Sequence, residues 1–196
     1  IEETKCLMTM CDLMIKDKID YAINIIRPPG HHCGNNPGGF CLVNTAIIAA
    51  TKLLEKYKKL SIFDIDLHHG GGTQKMMEKN KNIMYVSIHN KNVWSDGYYE
   101  KKALHTKRDR IINVALPGGS VDKEYEYVSK RVIKDMVEFS EVLILSAGID
   151  AHKDERGVGD KKTHRMSLTN NYYGWLGSEM RKRFKKIFVI LEGGYN

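Results

Sequence analysis

Apolar residues in this chain come in short unbroken runs set between longer amphipathic stretches. The runs are YAINIIR (21–27), LSIFDID (60–66), IMYVSIH (83–89), RIINVAL (110–116), EVLILSAG (141–148) and KIFVILEGG (186–194). Each is rich in β-branched residues and lacks the strict in–out alternation of a sheet with one wet face. Such runs suit parallel strands buried on both sides. Between them, residues 4–18, 43–58, about 73–80, 123–139 and 167–184 read as helices. Strand–helix alternation predicts a single α/β domain, a parallel β-sheet between helix layers with right-handed crossovers. The chain shows no internal repeat, linker or low-complexity tract. Its two longest irregular stretches are 27–42 and 89–109, and connections of that length are usually functional.

Open α/β sheets bind ligands outside the carboxyl ends of their strands, so the residues there carry the chemistry. After the first run comes RPPGHHCGNNPGGF. The second ends in Asp64, Asp66, His68 and His69, the third in Ser87 and His89, the fifth in Asp150 and His152, and the sixth in Glu192 and Tyr195. Strand alternation places Asp64, Asp66 and His68 on one face. Asp66 and His68 could then grip one cation, with Asp150 as a third ligand from a neighbouring strand. One histidine and two carboxylates leave a position open for water or substrate, as a catalytic zinc site needs. Zinc in such a site polarises a carbonyl and activates a water. Gly70, Gly71 and Gly72 allow a tight turn where side chains would block the mouth. An isolated Asp-x-Asp or His-His pair is a weak signal. Their concentration on one sheet edge is a much stronger one.

Composition narrows the class. Of 196 residues, 42% are hydrophobic and 28% charged, a globular balance. No apolar run approaches the ~20 residues that span a bilayer, so no membrane partner is expected. The chain opens in what reads as a helix, not a secretory signal. Cys6, Cys11, Cys33 and Cys41 form no Cys-x-x-Cys pair and read as free thiols in a reducing compartment. The net charge is +7, but the lysines are scattered without interleaved aromatics, so direct nucleic-acid binding is not expected.

The segments RPPGHHCGNNPGGFCLVNTAIIA, DIDLHHGGGTQ, VSIH, SAGIDAHKDE and LEGGYN, in that order from Arg27 to Asn196, resemble the zinc-dependent histone deacetylases. DAHKDE and LEGGYN look more like the class II branch, and the acetylpolyamine amidohydrolases share much of the pattern. The resemblance implies the arginase–deacetylase fold and a catalytic domain spanning 1–196, with the family's usual domain longer at both ends. It implies Asp66, His68 and Asp150 as zinc ligands. His31 and His32 would be the tandem histidines, His32 the base and acid. Asp64 would orient His31 and help hold a structural potassium, together with the backbone of Asp66, His68 and Ile88, and Ser87. Tyr195 would donate to the developing oxyanion. Gly39, Phe40 and Trp94 would line the acyl-lysine tunnel, with Tyr98 competing for the place of Trp94, and Gly194 would form the wall beside the zinc. His69 is left a structural role in packing or a backbone hydrogen bond. The implied partners are an acetylated protein such as a histone tail and a corepressor-type complex, in nucleus or cytoplasm.

Two departures stand out. Gly71 occupies the place where the family carries Asp or Asn to brace the second histidine. The stretch NKNVWSDGYYEKKALH departs from the family's aromatic-Pro-Gly rim. Competing readings are an acetylpolyamine amidohydrolase, an arginase-like ureohydrolase and a catalytically weak acetyl-lysine-binding scaffold.

Overall fold

The computed structural model describes residues 2–93, 106–156 and 162–196. Its elements are α1 (Glu2–Ile15), β1 (Tyr21–Asn24), α2 (Thr45–Leu53), β2 (Leu60–Asp64), α3 (Gly71–Met77), β3 (Ile83–Asn90), β4 (Thr106–Arg108), β5 (Ile111–Leu116), α4 (Asp122–Phe139), β6 (Val142–Ala147), α5 (Asn170–Arg183) and β7 (Lys186–Leu191). The strands form one sheet in the order β1-β7-β6-β2-β3-β5-β4. All neighbours pair in parallel except β4 with β5.

The unbroken apolar runs have their reason in two cores, one on each face of the sheet. On one face Phe63, Val86, Leu143 and Leu145 meet Tyr125, Val132 and Met136 of α4 and Tyr172, Leu176 and Met180 of α5. On the other, Leu60, Ile62, Tyr85, Ile144 and Phe188 meet Leu7, Cys11 and Met14 of α1 and Ala46, Ala49, Ala50 and Leu53 of α2. Successive residues such as Ile62 and Phe63 serve opposite cores, as strand geometry requires. All four cysteines are free thiols.

The structure corrects several boundaries. β1 stops at Asn24, β2 at Asp64 and β7 at Leu191, so each ladder ends before the polar residues that follow it. Asp66 and His68 are therefore brought together by a turn and not by strand alternation. Asp64 Oδ1 accepts the Asp66 amide at 3.2 Å, and Asp66 Oδ1 accepts the His68 amide at 2.9 Å. Two successive aspartate side-chain turns thus replace the lost ladder bonds. β4, inside the stretch read as irregular, adds an antiparallel edge strand to a sheet expected to be parallel throughout. α2 ends at Leu53 and not near 58, while Tyr57 turns inward to donate its hydroxyl to the Met14 carbonyl at 3.0 Å.

Candidate active site

Asp66, His68 and Asp150 converge beyond the carboxyl ends of β2 and β6, with one potential ligand atom from each lying within 4.8 Å of the others. His68 Nδ1 is 3.1 Å from Asp66 Oδ1 and 3.1 Å from Asp150 Oδ2. Both carboxylates are buried, while His68 remains partly open to solvent. Backbone amides orient the acids: Leu67 donates to Asp150 Oδ1 at 2.8 Å and Gly193 to Asp66 Oδ2 at 2.7 Å. One imidazole nitrogen and two carboxylates are a donor set suited to zinc, with coordination positions left over.

The tandem histidines sit beside this cluster. His31 Nδ1 is 3.0 Å from Asp64 Oδ2, and its Nε2 is 3.6 Å from Asp66 Oδ2. Tyr85 donates its hydroxyl to the same Asp64 oxygen at 3.0 Å. The His32 ring centroid lies 4.0 Å from that of His31 and 5.8 Å from that of His68. Close backbone approach makes this possible. A Cβ on Gly72 would stand 2.4 Å from the carbonyl carbons of His32 and Cys33, and one on Gly39 (φ +51°) would stand 2.5 Å from His32 Cδ2. α3 and the 39–40 loop can close on His32 because those positions lack side chains.

Electrostatics separate the two histidines. Burial opposes charge on His31, but Asp66 and Asp64 outweigh it and hold its pKa well above the ordinary value. Burial and the charge of His31 push His32 down to about 2. The carboxylates thus favour the charged form of His31, while burial and its neighbour favour the neutral form of His32. Burial likewise opposes charge on His68, yet its hydrogen bonds to Asp150 and Asp66 carry it up to about 10. Burial and the charge of Asp66 raise Asp150 to about 6. Burial would raise Asp66, but His31 and His68 hold it well below the usual carboxylate range. The cluster thus concentrates negative charge that attracts a cation, and a divalent ion binding there would displace the His68 proton.

The remaining expected residues fall as follows. Ser87 is the register partner of Asp64, with its Oγ 2.8 Å from His89 Nδ1. Ile88 follows it, wholly buried. Phe40 is 82% exposed at φ +64° and follows Gly39, whose backbone approaches the His32 ring. Gly194 has φ +114° and precedes Tyr195. The tyrosine is half-exposed, with Asp66 and Asp150 close enough to help burial raise its phenol pKa. His69 is buried and packed as expected, with its ring centroid 4.9 Å from that of His89, but its Nε2 lies 3.0 Å from the side-chain oxygen Gln74 Oε1 and not from a backbone group. Trp94 and Tyr98 lie outside the described residues.

Sequence reasoning assigned no role to Arg27, Glu155 or Glu192. Tyr195 donates its amide to Glu155 Oε2 at 2.7 Å. Arg27 and Glu192 join the segments carrying the histidines and the tyrosine. The available signal was a charged residue inside each motif, in RPPG and LEGG.

Fold and site together define an α/β protein with a candidate metal centre and a carboxylate-held histidine pair at the carboxyl edge of its sheet. The histone deacetylase domain family matches residues 2–196, and the chain belongs to that family, within the arginase/deacetylase superfamily. It is 30% identical over 201 residues to histone deacetylase HDA1 of Saccharomyces cerevisiae, covering 95% of this chain and 28% of that protein. It is 27% identical over 188 residues to the acetylpolyamine amidohydrolase of Burkholderia pseudomallei, covering 93% of this chain and 53% of that protein. The crystal structure of the HDA15 HD domain superposes with a TM-score of 0.82 at 29% identity, over 99% of this chain and 58% of that one. The chain thus spans between about a quarter and three-fifths of these relatives. Membership supports a hydrolase. Among the described residues no helix is long and apolar enough to cross a membrane.

Proposed function

We propose that the protein is a zinc-dependent amide hydrolase that removes acetyl groups from lysine side chains. The observation that carries this reading is the convergence of Asp66, His68 and Asp150 next to the stacked pair His31 and His32. Zinc held by Asp66, His68 and Asp150 would polarise the amide carbonyl and a water.

The remaining roles belong to the chain. His32 accepts the proton of the attacking water and later delivers it to the lysine nitrogen as the C–N bond breaks. His31, fixed by Asp64, keeps its charge and favours negative charge developing nearby. The Tyr195 hydroxyl donates a hydrogen bond to the developing oxyanion, a contribution of about 3 kcal/mol. Gly39 and Phe40 at the mouth, with Gly194, would enclose the lysine methylenes. A structural potassium held by Asp64, Ser87 and the backbone of Asp66, His68 and Ile88 would brace β2 against β3, consistent with the Asp64–Ser87 register. The substrate in this reading is an acetylated protein, a histone tail among the candidates. A corepressor-type complex in nucleus or cytoplasm would be its setting.

The likeness to the Burkholderia amidohydrolase favours acetylated polyamines as the second reading. The test compares hydrolysis of an acetyl-lysine peptide with that of an acetylated polyamine, each with chelator and after zinc is restored. Chelator-sensitive peptide turnover supports the first reading. Polyamine turnover alone supports the second. Zinc-loaded protein that binds the peptide without hydrolysing it would reduce the chain to a reader.

A further inference from the structure

The segment after β1 carries His31 and His32, and the segment after β7 carries Tyr195. They leave neighbouring parallel strands, Asn24 being the register partner of Ile190. Each segment reaches into the other with one charged side chain. Arg27 forks onto two carbonyls across the gap: Nη1 donates to Glu192 O at 2.5 Å and Nη2 donates to Gly194 O. Its guanidinium carbon also lies 4.9 Å from the centroid of the Tyr195 ring. In return, Glu192 Oε2 accepts the amides of Gly30 at 2.7 Å and His31 at 3.1 Å. Glu192 is wholly buried.

We propose that Arg27 and Glu192 form a reciprocal strap that sets the Tyr195 hydroxyl relative to the tandem histidines. Arg27 is the positioning residue for Tyr195, and Glu192 for the backbone of His31. The proposal rests on the hydrolase reading above, because it assigns the strap the task of aligning an oxyanion donor with a base. The tyrosine needs such a device. It is 53% exposed, so core packing does not fix its ring, and Glu155 holds only its backbone amide. The guanidinium supplies what packing does not, two parallel donors to the turn that bears the ring and a flat cation against the ring itself. A lysine offers a point charge and cannot reproduce the fork. Glu192 closes the loop in the other direction, so that slack in one segment is transmitted to the other. Misplacement of a catalytic group by ~1 Å costs on the order of 10²-fold in rate, which gives the strap its expected weight.

The test uses the zinc-loaded full chain and an acetyl-lysine peptide. Arg27→Gln and Arg27→Lys are each made alone and combined with Tyr195→Phe, with zinc content and thermal midpoint measured beside the kinetics. The expected result is a fall in kcat of roughly 30–100-fold for both single variants, with KM within about threefold. In the Tyr195→Phe background the same change should cost less than about threefold, because the group being positioned is gone. Full multiplication of the two losses, or a loss appearing only in KM, would overturn the proposal. A second arm needs no turnover. Amide hydrogen exchange at Gly30 and His31 should accelerate in Arg27→Gln although those amides are bonded to Glu192, and also in Glu192→Ala. Glu192→Gln keeps an acceptor and should restore near wild-type protection. Unchanged exchange in Arg27→Gln overturns the strap. If wild-type protein fails to hydrolyse the peptide, the hydrolase reading falls alone and the exchange arm still decides the strap.

Discussion

The two edges of this sheet handle charge in opposite ways. At the carboxyl edge Asp64, Asp66, Asp150 and Glu192 are all buried, four acids within one cluster, with His31 and His68 as the nearby cations. At the amino edge a cleft is lined by Lys56, Lys58, Lys59, Lys185 and Lys186 with Asp17 and Glu141. There opposite charges meet: Asp17 lies 2.5 Å from Lys56 and 3.1 Å from Lys186, Lys185 lies 3.6 Å from Glu141, and Lys186, itself buried, lies 2.7 Å from Asp20. Opposite charges paired near solvent contribute little to stability and serve solubility. Like charges gathered out of water are costly unless they are paired or hold a cation, and such clusters mark functional sites. The same fold thus keeps one edge electrostatically relaxed and loads the other.

Substitutions should read out that difference as a descending series. The largest effect belongs to Asp150→Ala, which removes a ligand and leaves Asp66 and His68 behind. Divalent-metal binding, followed by zinc titration, should weaken by at least ~10²-fold, and peptide hydrolysis should fall to background. Retention of wild-type metal affinity would remove Asp150 from the centre. Tyr195→Phe comes next. It should lower kcat by roughly 10²–10³-fold with zinc content unchanged, the cost of one oxyanion donor.

Glu192 gives a pH-dependent test. Burial, opposed by the charge of His31 and aided by that of Asp64, raises its pKa from 4.5 to about 7. Between those values the folded chain keeps a proton that the unfolded chain has lost. Stability from this group is therefore fully present below pH ~4.5 and declines as pH rises to ~7. Glu192→Gln cannot ionise. Its denaturant-unfolding free energy, measured in chelator, should fall less between pH 5 and 7.5 than that of wild type, by about 2–3 kcal/mol at most. Parallel curves would show that Glu192 does not titrate in that window.

Gly71→Asn should have a smaller effect, of opposite sign. Among the described glycines only Gly39, Gly119 and Gly194 have positive φ, so Gly71, the buried first residue of α3, presents no left-handed backbone to a side chain. An amide there should brace His32 and raise kcat a few-fold; a variant that folds, binds zinc and shows no gain means His32 is braced otherwise. At the relaxed edge Lys56→Ala should leave kcat unchanged. It should barely move the thermal midpoint, and high salt should erase any difference. A marked loss of activity from Lys56→Ala would break the contrast between the edges.

Local patterns carried much of the site. DIDLHH placed Asp64, Asp66 and His68 at a strand end, and SAGID did the same for Asp150, because a motif at a strand end is a short-range feature. The turn that joins Asp66 to His68 was not legible, since alternation continued past Asp64 predicts much the same grouping. β4 was missed because three residues carry no periodicity. Arg27 and Glu192 were quoted within their motifs but assigned no role, because their partners are 165 and 162 residues distant in sequence.

By itself the sequence determined the alternation of strands and helices, the burial of the sheet on both faces and the chemical types gathered at strand ends. Those follow from side-chain apolarity and chain period, which act over a few residues. Only the tertiary structure decided that β1 lies against β7 and β2 between β6 and β3. That order sets His31 3.0 Å from Asp64 and Asp150 3.1 Å from His68. It also shifts the pKa values of His31 and His32 in opposite directions, because the pKa of a buried imidazole depends on which charges packing brings beside it.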